Sequence, residues 1–124
     1  MSEFEHERLD VYQAAIQFLV VADSIAASCP RGRGYLADPL RQAASSISFN
    51  IAEGAGEFAP ADKARFYRIA RRSATESAAI LDACRVLGLP ADELPAGRAV
   101  LLRIVAMLTA MVVKLSGSGS SSSD

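Results

Sequence analysis

The chain has 124 residues, of which 51% are hydrophobic and 22% are charged, and its formal net charge at pH 7 is −1. This length suits one domain with a hydrophobic core of ordinary size. A nearly neutral chain lacks the overall positive charge of a strong nucleic-acid binder, so any contact with phosphates would need a local basic patch.

The N-terminus and the cysteines bear on localisation. Residues 1–10 are acidic and lack the basic-then-apolar order of a secretory signal. Two thiols, Cys29 and Cys84, fit a reducing compartment, and we therefore expect a cytoplasmic protein. Residues 99–115 are apolar, but they are fewer than the roughly 20 residues of a spanning helix and include Arg103 and Lys114, so no membrane segment is expected.

The first predicted helix covers residues 5–28, before the proline and glycines of residues 30–34 interrupt it. One face is marked at helical spacing by Leu9, Tyr12, Ile16, Leu19 and Val20. Further apolar residues widen this surface, namely Val11, Ala15, Phe18, Ala22 and Ile25. The helix is therefore apolar around much of its circumference.

The second predicted helix begins at Asp38-Pro39, where the carboxylate suits a cap and the proline a first turn, and ends near residues 54–56. Its inward residues are Leu40, Ala43, Ala44, Ile47 and Ile51. Beside them runs a polar line of Gln42, Ser46, Asn50 and Glu53. Polar groups in such a line need partners where they are buried, and the third helix offers Arg65, Arg68, Arg72 and Glu76.

The third predicted helix begins near Pro60, with Asp62 favourably placed in its first turn, and Gly88 ends it. Its inner face is predicted to carry Phe66, Ile69, Ala70, Ser73, Ser77, Ile80, Ala83, Cys84 and Leu87. The fourth helix begins between Pro90 and Pro95 and ends near Leu115. We expect one domain over residues 1–115 and a flexible Ser/Gly-rich tail over residues 116–124.

Four helices with short connections and no convincing strand alternation predict an all-α, antiparallel up-down four-helix bundle. The apolar faces of the first and fourth helices are wider than a solitary bundle buries. Association between copies of the chain would cover this surface, so we expect a homo-oligomer.

Residues 41–54 read Arg-Gln-Ala-Ala-Ser-Ser-Ile-Ser-Phe-Asn-Ile-Ala-Glu-Gly. This segment resembles the signature of the bacterial 23S rRNA intervening-sequence (S23) proteins, approximately Arg-Arg-Ala-Ala-x-Ser-Ile-x-x-Asn-Ile-Ala-Glu-Gly. Residues 9–15 and 66–76 resemble the flanking family patterns Leu-x-Val-(Trp/Tyr)-x-x-Ala and Phe-x-x-x-Ala-x-x-Ser-x-x-Glu. The motif positions in this chain are Arg41, Ser46, Asn50, Glu53, Gly54 and Glu76.

The resemblance implies a left-handed bundle that assembles into a ring, commonly a homopentamer. The family is also similar to the accessory variability determinant of diversity-generating retroelements, a basic pentamer that binds nucleic acid and partners a reverse transcriptase. Three positions depart from the pattern. Gln42 replaces a usual arginine, Ser48 a frequent proline, and Glu57 stands near a commonly basic position, so positive charge around the motif is reduced.

For the motif residues Ser46, Asn50 and Glu53, we expect hydrogen bonds that set helix packing, the alternative being a polar site facing a groove or ring interior. Arg41 is expected to form a structural ion pair with Glu53 or Glu76. No catalytic residue, metal site or cofactor is predicted, because His6 is the only histidine and the two cysteines lack metal-ligand spacing.

Two functions follow as hypotheses. The first is a non-enzymatic homo-oligomer, with itself as partner, that serves as an assembly or adaptor module. The alternative is binding of structured RNA or of DNA through Arg65, Arg68, Arg71 and Arg72, set against a reading in which this basic face is solvated and paired with acids of the first helix. A third kind of partner is a protein encoded by a neighbouring gene.

Overall fold

The computed structural model describes residues 3–89 and 92–121. A short 3-10 turn, Glu5–Arg8, precedes four helices: α1 (Asp10–Ala27), α2 (Gly34–Gly56), α3 (Pro60–Val86) and α4 (Leu94–Ser121). Packing joins α1 to α2, α2 to α3, α3 to α4 and α4 to α1, whereas the diagonal pairs are not in contact over the described residues. This is the predicted antiparallel four-helix bundle. Assembly into a ring stays a prediction.

The buried face of α1 is not the face that was predicted from the helical spacing of residues 9–20. Its buried residues are Val11, Ala14, Ala15, Phe18, Ala22, Ile25 and Ala26. Val20 is 68% exposed and Ile16 is 37% exposed, while Leu9, Tyr12 and Leu19 are half-buried. A helix that is apolar nearly all round has more than one face with suitable spacing, so only the positions of α2 and α4 decide which one enters the core.

The predicted start of α2 was wrong, because the helix begins at Gly34 and places Pro39 inside its second turn. Asp38 does not cap the helix and instead lies 3.8 Å from the guanidinium of Arg41. Proline at this position removes one backbone donor. Burial of Leu36 and Ala37 in the added turn offsets that loss.

The start of α3 at Pro60 and its end before Gly88 are confirmed. Gly88 adopts a φ of +68° and its amide donates to the carbonyl of Arg85 at 3.1 Å, while the amide of Leu89 donates to that of Cys84 at 3.0 Å. These two bonds form a Schellman motif, which favours glycine at its left-handed position.

The inner face of α3 differs from the prediction at its aromatic residues. Tyr67 is buried and 4% exposed, whereas Phe66 is only half-buried. Leu87 is 41% exposed just beyond the last turn. The difference arises at the C-terminal turn of α2, where Tyr67 packs its ring against Gly54 and Phe66 contributes its Cβ atom.

The last helix, α4, has Pro95 in its first turn, as predicted, while Pro90 lies outside the described residues. The helix continues past the predicted end at Leu115 as far as Ser121. The boundary of a tail at residue 116 stays a prediction, and residues 122–124 lie outside the described residues.

The helices α2 and α3 approach each other closely at Gly54. A Cβ atom on this glycine would lie 2.6 Å from Cε1 of Tyr67, 2.9 Å from its Cδ1 and 3.2 Å from Cβ of Phe66. Beside this contact, at the C-terminal end of α2, Nζ of Lys63 donates to the carbonyl oxygens of Gly54 at 3.2 Å and Ala55 at 3.0 Å. A cation at these end carbonyls also opposes the negative end of the helix dipole.

Replacing Gly54 with alanine should therefore destabilise the bundle, because the new methyl group must displace the Tyr67 ring. We expect Gly54→Ala to lower the free energy of unfolding by about 1–3 kcal/mol, as overpacked core substitutions do. Gly56→Ala is the matched control, since no atom lies within 4 Å of its Cβ position. Urea unfolding followed by circular dichroism measures both, and equal stabilities for the two variants would contradict the packing role of Gly54.

Candidate functional site

Part of the polar line of α2 is joined to α3 by a pair of hydroxyl groups. The hydroxyl oxygens of Ser46 and Ser73 are hydrogen-bonded at 2.8 Å. Nδ2 of Asn50 donates to the hydroxyl and carbonyl oxygens of Ser46, at 3.0 and 2.8 Å. The hydroxyl of the buried Ser77 donates to the carbonyl of Ser73 at 2.9 Å. We call Ser46, Asn50, Ser73 and Ser77 the seam network.

The partner that α3 supplies to this network is a serine and not one of the expected arginines. Ser73 was placed on the inner face by its spacing, but its role as the partner of Ser46 was missed. The available signal was a pair of small polar residues, Ser73 and Ser77, one turn apart on an otherwise apolar face. Gln42 and Glu53, the other members of the polar line, are exposed and make no side-chain hydrogen bond or ion pair within residues 3–89 and 92–121.

Arg41 pairs with neither Glu53 nor Glu76. Its Nε donates to Oδ1 of Asp23 on α1 at 3.3 Å, and its Nη1 lies 3.8 Å from Oδ1 of Asp38. Arg41 is on the edge of α2 that faces α1, whereas Glu76 is exposed on α3. The motif residues therefore do not form one cluster, and surface pairs like these contribute at most about 1 kcal/mol each.

Burial tunes two titratable groups of α3 towards their neutral forms. Desolvation raises the pKa of the Tyr67 hydroxyl, and desolvation together with the nearby Cys29 raises the pKa of the Cys84 thiol. A protonated, buried thiol is a poor nucleophile at neutral pH. Within the described part of the chain, no group of three or more His, Cys, Asp or Glu side chains is placed to hold a metal ion.

Three arginines of α3 form an exposed basic surface, which we call the arginine face: Arg65, Arg68 and Arg72. None of the three has an ion pair in residues 3–89 and 92–121. The expected pairing with acids of the first helix fails because α1 lies diagonally across the bundle from α3. Arg71 is turned towards α4, where its Nε donates to the hydroxyl of Thr109 at 2.8 Å.

Of the two aromatic residues near the arginine face, only one is accessible. Tyr67 is buried. Phe66 is partly accessible instead, and its ring centroid lies 4.4 Å from the guanidinium carbon of Arg65, which is cation–π geometry. In the described structure, an accessible aromatic ring therefore adjoins the arginine face at its N-terminal end, beside Arg65.

A second notable surface is the outward side of α4, the α4 apolar face, whose exposed and uncharged residues are Pro95, Ala99, Leu102, Ala106, Ala110 and Val113. Arg98 lies along one edge of this face, and Arg103 and Lys114 along the other. The most apolar 18-residue window within residues Leu94–Gly117 has a mean hydropathy of 2.0, and only 22% of that window is buried. By length and composition this stretch alone among the described helices is apolar enough to cross a bilayer, although it packs here as the fourth helix of the bundle.

The seam network should contribute to stability. Ser46→Ala removes the partner of Ser73 and one acceptor of Asn50, leaving the Ser73 hydroxyl buried without that bond, so we expect a loss of about 1–2 kcal/mol in the free energy of unfolding. Ser45→Ala is the control, since the neighbouring Ser45 uses only its backbone carbonyl, which accepts from Ser48 at 3.1 Å. Chemical denaturation of the two variants tests this, and a neutral Ser46→Ala would argue against the network.

Comparison with curated proteins gives no significant match. A sequence model of the 23S rRNA-intervening sequence protein family matches residues 7–110. The match extends over α1, α2, α3 and most of α4, including the seam network and the Gly54 contact. The chain therefore belongs to the 23S rRNA-intervening sequence protein family.

Proposed function

We propose that this chain is a non-enzymatic, homo-oligomeric four-helix bundle that acts as an assembly or adaptor module. The proposed functional form is a closed ring of five copies. The observation that carries this proposal is the α4 apolar face. A bundle helix that met only water on its outward side would carry polar residues there. One outward stripe of α4, from Pro95 to Val113 at helical spacing, carries none, and the exposed polar residues Arg98, Arg103 and Thr109 lie beside it.

Charges on α1 and α4 support contact between these helices in neighbouring copies. The charged residues of α1 are Asp10 and Asp23, and α1 also exposes Ile16 and Val20. The charged residues of α4 are Arg98, Arg103 and Lys114. Docking α1 of one copy against α4 of the next would match apolar with apolar surface and acidic with basic edges. A contact between two different faces is heterologous, and it produces a ring when the rotation closes.

Several features favour assembly over catalysis. The ring of His6 packs between Phe4 and Tyr12, with centroid distances of 5.8 and 4.6 Å, in the short turn before α1. The Cys84 thiol is buried. These two groups are the customary acid–base and nucleophilic candidates, and neither lies in a cleft with a partner that would activate it. No cofactor enters the proposal, and the expected setting is the cytoplasm.

Charges introduced into the α4 apolar face should dissociate the assembly. We expect the wild-type chain to sediment as an oligomer at about 20 μM, and the double variant Ala106→Glu/Val113→Glu to sediment as a folded monomer, because unpaired carboxylates would be buried at the contact. Ala79→Glu, on the exposed side of α3, is the control and should remain oligomeric. Analytical ultracentrifugation with circular dichroism measures assembly and folding together.

A monomeric wild-type chain would overturn the proposal. Co-sedimentation of the wild-type chain with lipid vesicles, lost in the same double variant, would assign the α4 apolar face to a membrane instead.

A second candidate function, nucleic-acid binding, is favoured by the arginine face. Its three guanidinium groups have no acidic partner in the described structure, and assembly would multiply them by symmetry. This face lies on α3, so it is separate from the face proposed for assembly.

If the arginine face binds RNA, the affinity of the oligomer for a structured RNA should be micromolar or tighter at about 50 mM salt and fall steeply as salt is raised. Arg68→Glu/Arg72→Glu should abolish binding, whereas Arg103→Glu on α4 should change it little. Fluorescence anisotropy measures this. Absence of binding at low salt, where phosphate contacts are strongest, would eliminate this function.

A further inference from the structure

The seam between α3 and α4 contains two adjoining cavities, of about 290 and 230 Å³. The first is lined by Leu81, Asp82, Arg85, Leu94, Pro95 and Arg98. The second shares Asp82 and Arg98 with it and continues along Ala78, Leu101, Leu102 and Val105. The two cavities share two lining residues and so adjoin along the seam, and we call them together the α3–α4 groove.

The groove is long, narrow and apolar at its base. Along α4 it extends from Leu94 to Val105, which at the rise of a helix is about 16 Å. Leu81, Leu94 and Leu101 are buried and form its floor. Gly97 fixes the spacing of the helices there, since its Cβ position lies 3.2 Å from Cδ1 of Leu81 and 3.3 Å from Cγ1 of Val21. The floor is therefore set by close packing between helices.

The rim of the groove is charged. Arg85 and Arg98 are exposed and make no ion pair or side-chain hydrogen bond within residues 3–89 and 92–121. Asp82 lies at the junction of the cavities and is likewise unpaired among those residues. The rim thus carries two guanidinium groups and one carboxylate, and the excess is a single positive charge. Guanidinium groups bind carboxylates with two parallel hydrogen bonds.

We propose that the α3–α4 groove binds a single-chain amphipathic carboxylate. The carboxylate lies between Arg85 and Arg98 over the first cavity, and the alkyl chain lies along Ala78, Leu101 and Val105. A length of about 16 Å accommodates an extended chain of roughly ten carbons. A polyanion fits less well, because Asp82 lines the groove together with the two arginines and the remaining lining, apart from Thr75, is apolar.

The test is a calorimetric titration of the full-length oligomer with decanoate, below its micellar concentration. We expect saturable binding, weakened about tenfold or more in Arg98→Gln through loss of a charge-assisted pair, and strengthened several-fold in Asp82→Asn through loss of a repulsive charge. Arg31→Gln, in the exposed turn between α1 and α2, is the matched control and should bind as the wild type does. Circular dichroism establishes that each variant is folded.

Two further probes separate the contributions of chain and head group. Acetate carries the charge without the chain, and decylammonium carries the same chain with the opposite charge, and both should bind at least about tenfold more weakly than decanoate. Equal binding of decylammonium, an unchanged affinity in Arg98→Gln, or no decanoate binding would overturn the proposal. Binding by the monomeric Ala106→Glu/Val113→Glu variant but not by the oligomer would also overturn it, because a second copy would then fill the groove. The groove shares Pro95 and Leu102 with the α4 apolar face, so it lies at the edge of the proposed contact between copies. Decanoate binding and sedimentation are measured separately, so the failure of one proposal is distinguishable from the failure of the other.

Discussion

The close contact of α2 with α3 sets the geometry of this bundle. It is built from Gly54, which admits the Tyr67 ring, and from the hydroxyl pair of Ser46 and Ser73. The glycine allows the backbone of α2 to approach a ring, and the hydroxyl pair fixes the register of the two helices further along the seam. Since α2 and α3 are thereby fixed, α1 and α4 occupy the remaining positions of the square and leave their other faces outward.

This arrangement separates the arginine face of α3 from the α4 apolar face, since they lie on different helices. The α3–α4 groove lies along the seam of these helices and shares Pro95 and Leu102 with the α4 apolar face. The positive charge on this side of a nearly neutral chain is concentrated on α3 and α4, while the acidic residues of α1 are distant from α3. An overall charge of −1 therefore conceals a strongly asymmetric surface, which is a better guide to partners than the net value.

Much of the candidate site could be named from the sequence, but not its contacts. Ser46, Asn50 and Gly54 stand in a recognisable motif, and the inward residues of α2 follow directly from helical spacing. By contrast, the pairing of Arg41 with Asp23 depends on which helix lies beside that edge of α2. The contact of Lys63 with the last carbonyls of α2 depends on the short connection that places α3 beside them. Such partners are remote in sequence, and local periodicity carries no information about them.

By itself the sequence determined the number of helices, most of their ends and the inner face of α2, because apolar spacing, proline and glycine act through local backbone geometry. Only the tertiary structure decided which of two apolar faces of α1 is buried, whether Tyr67 or Phe66 enters the core, and that Pro39 lies inside α2. Each of these choices is made by burial against a neighbouring helix, which outweighs local preference. The outward surfaces that carry the functional proposals are therefore set by how the four helices pack.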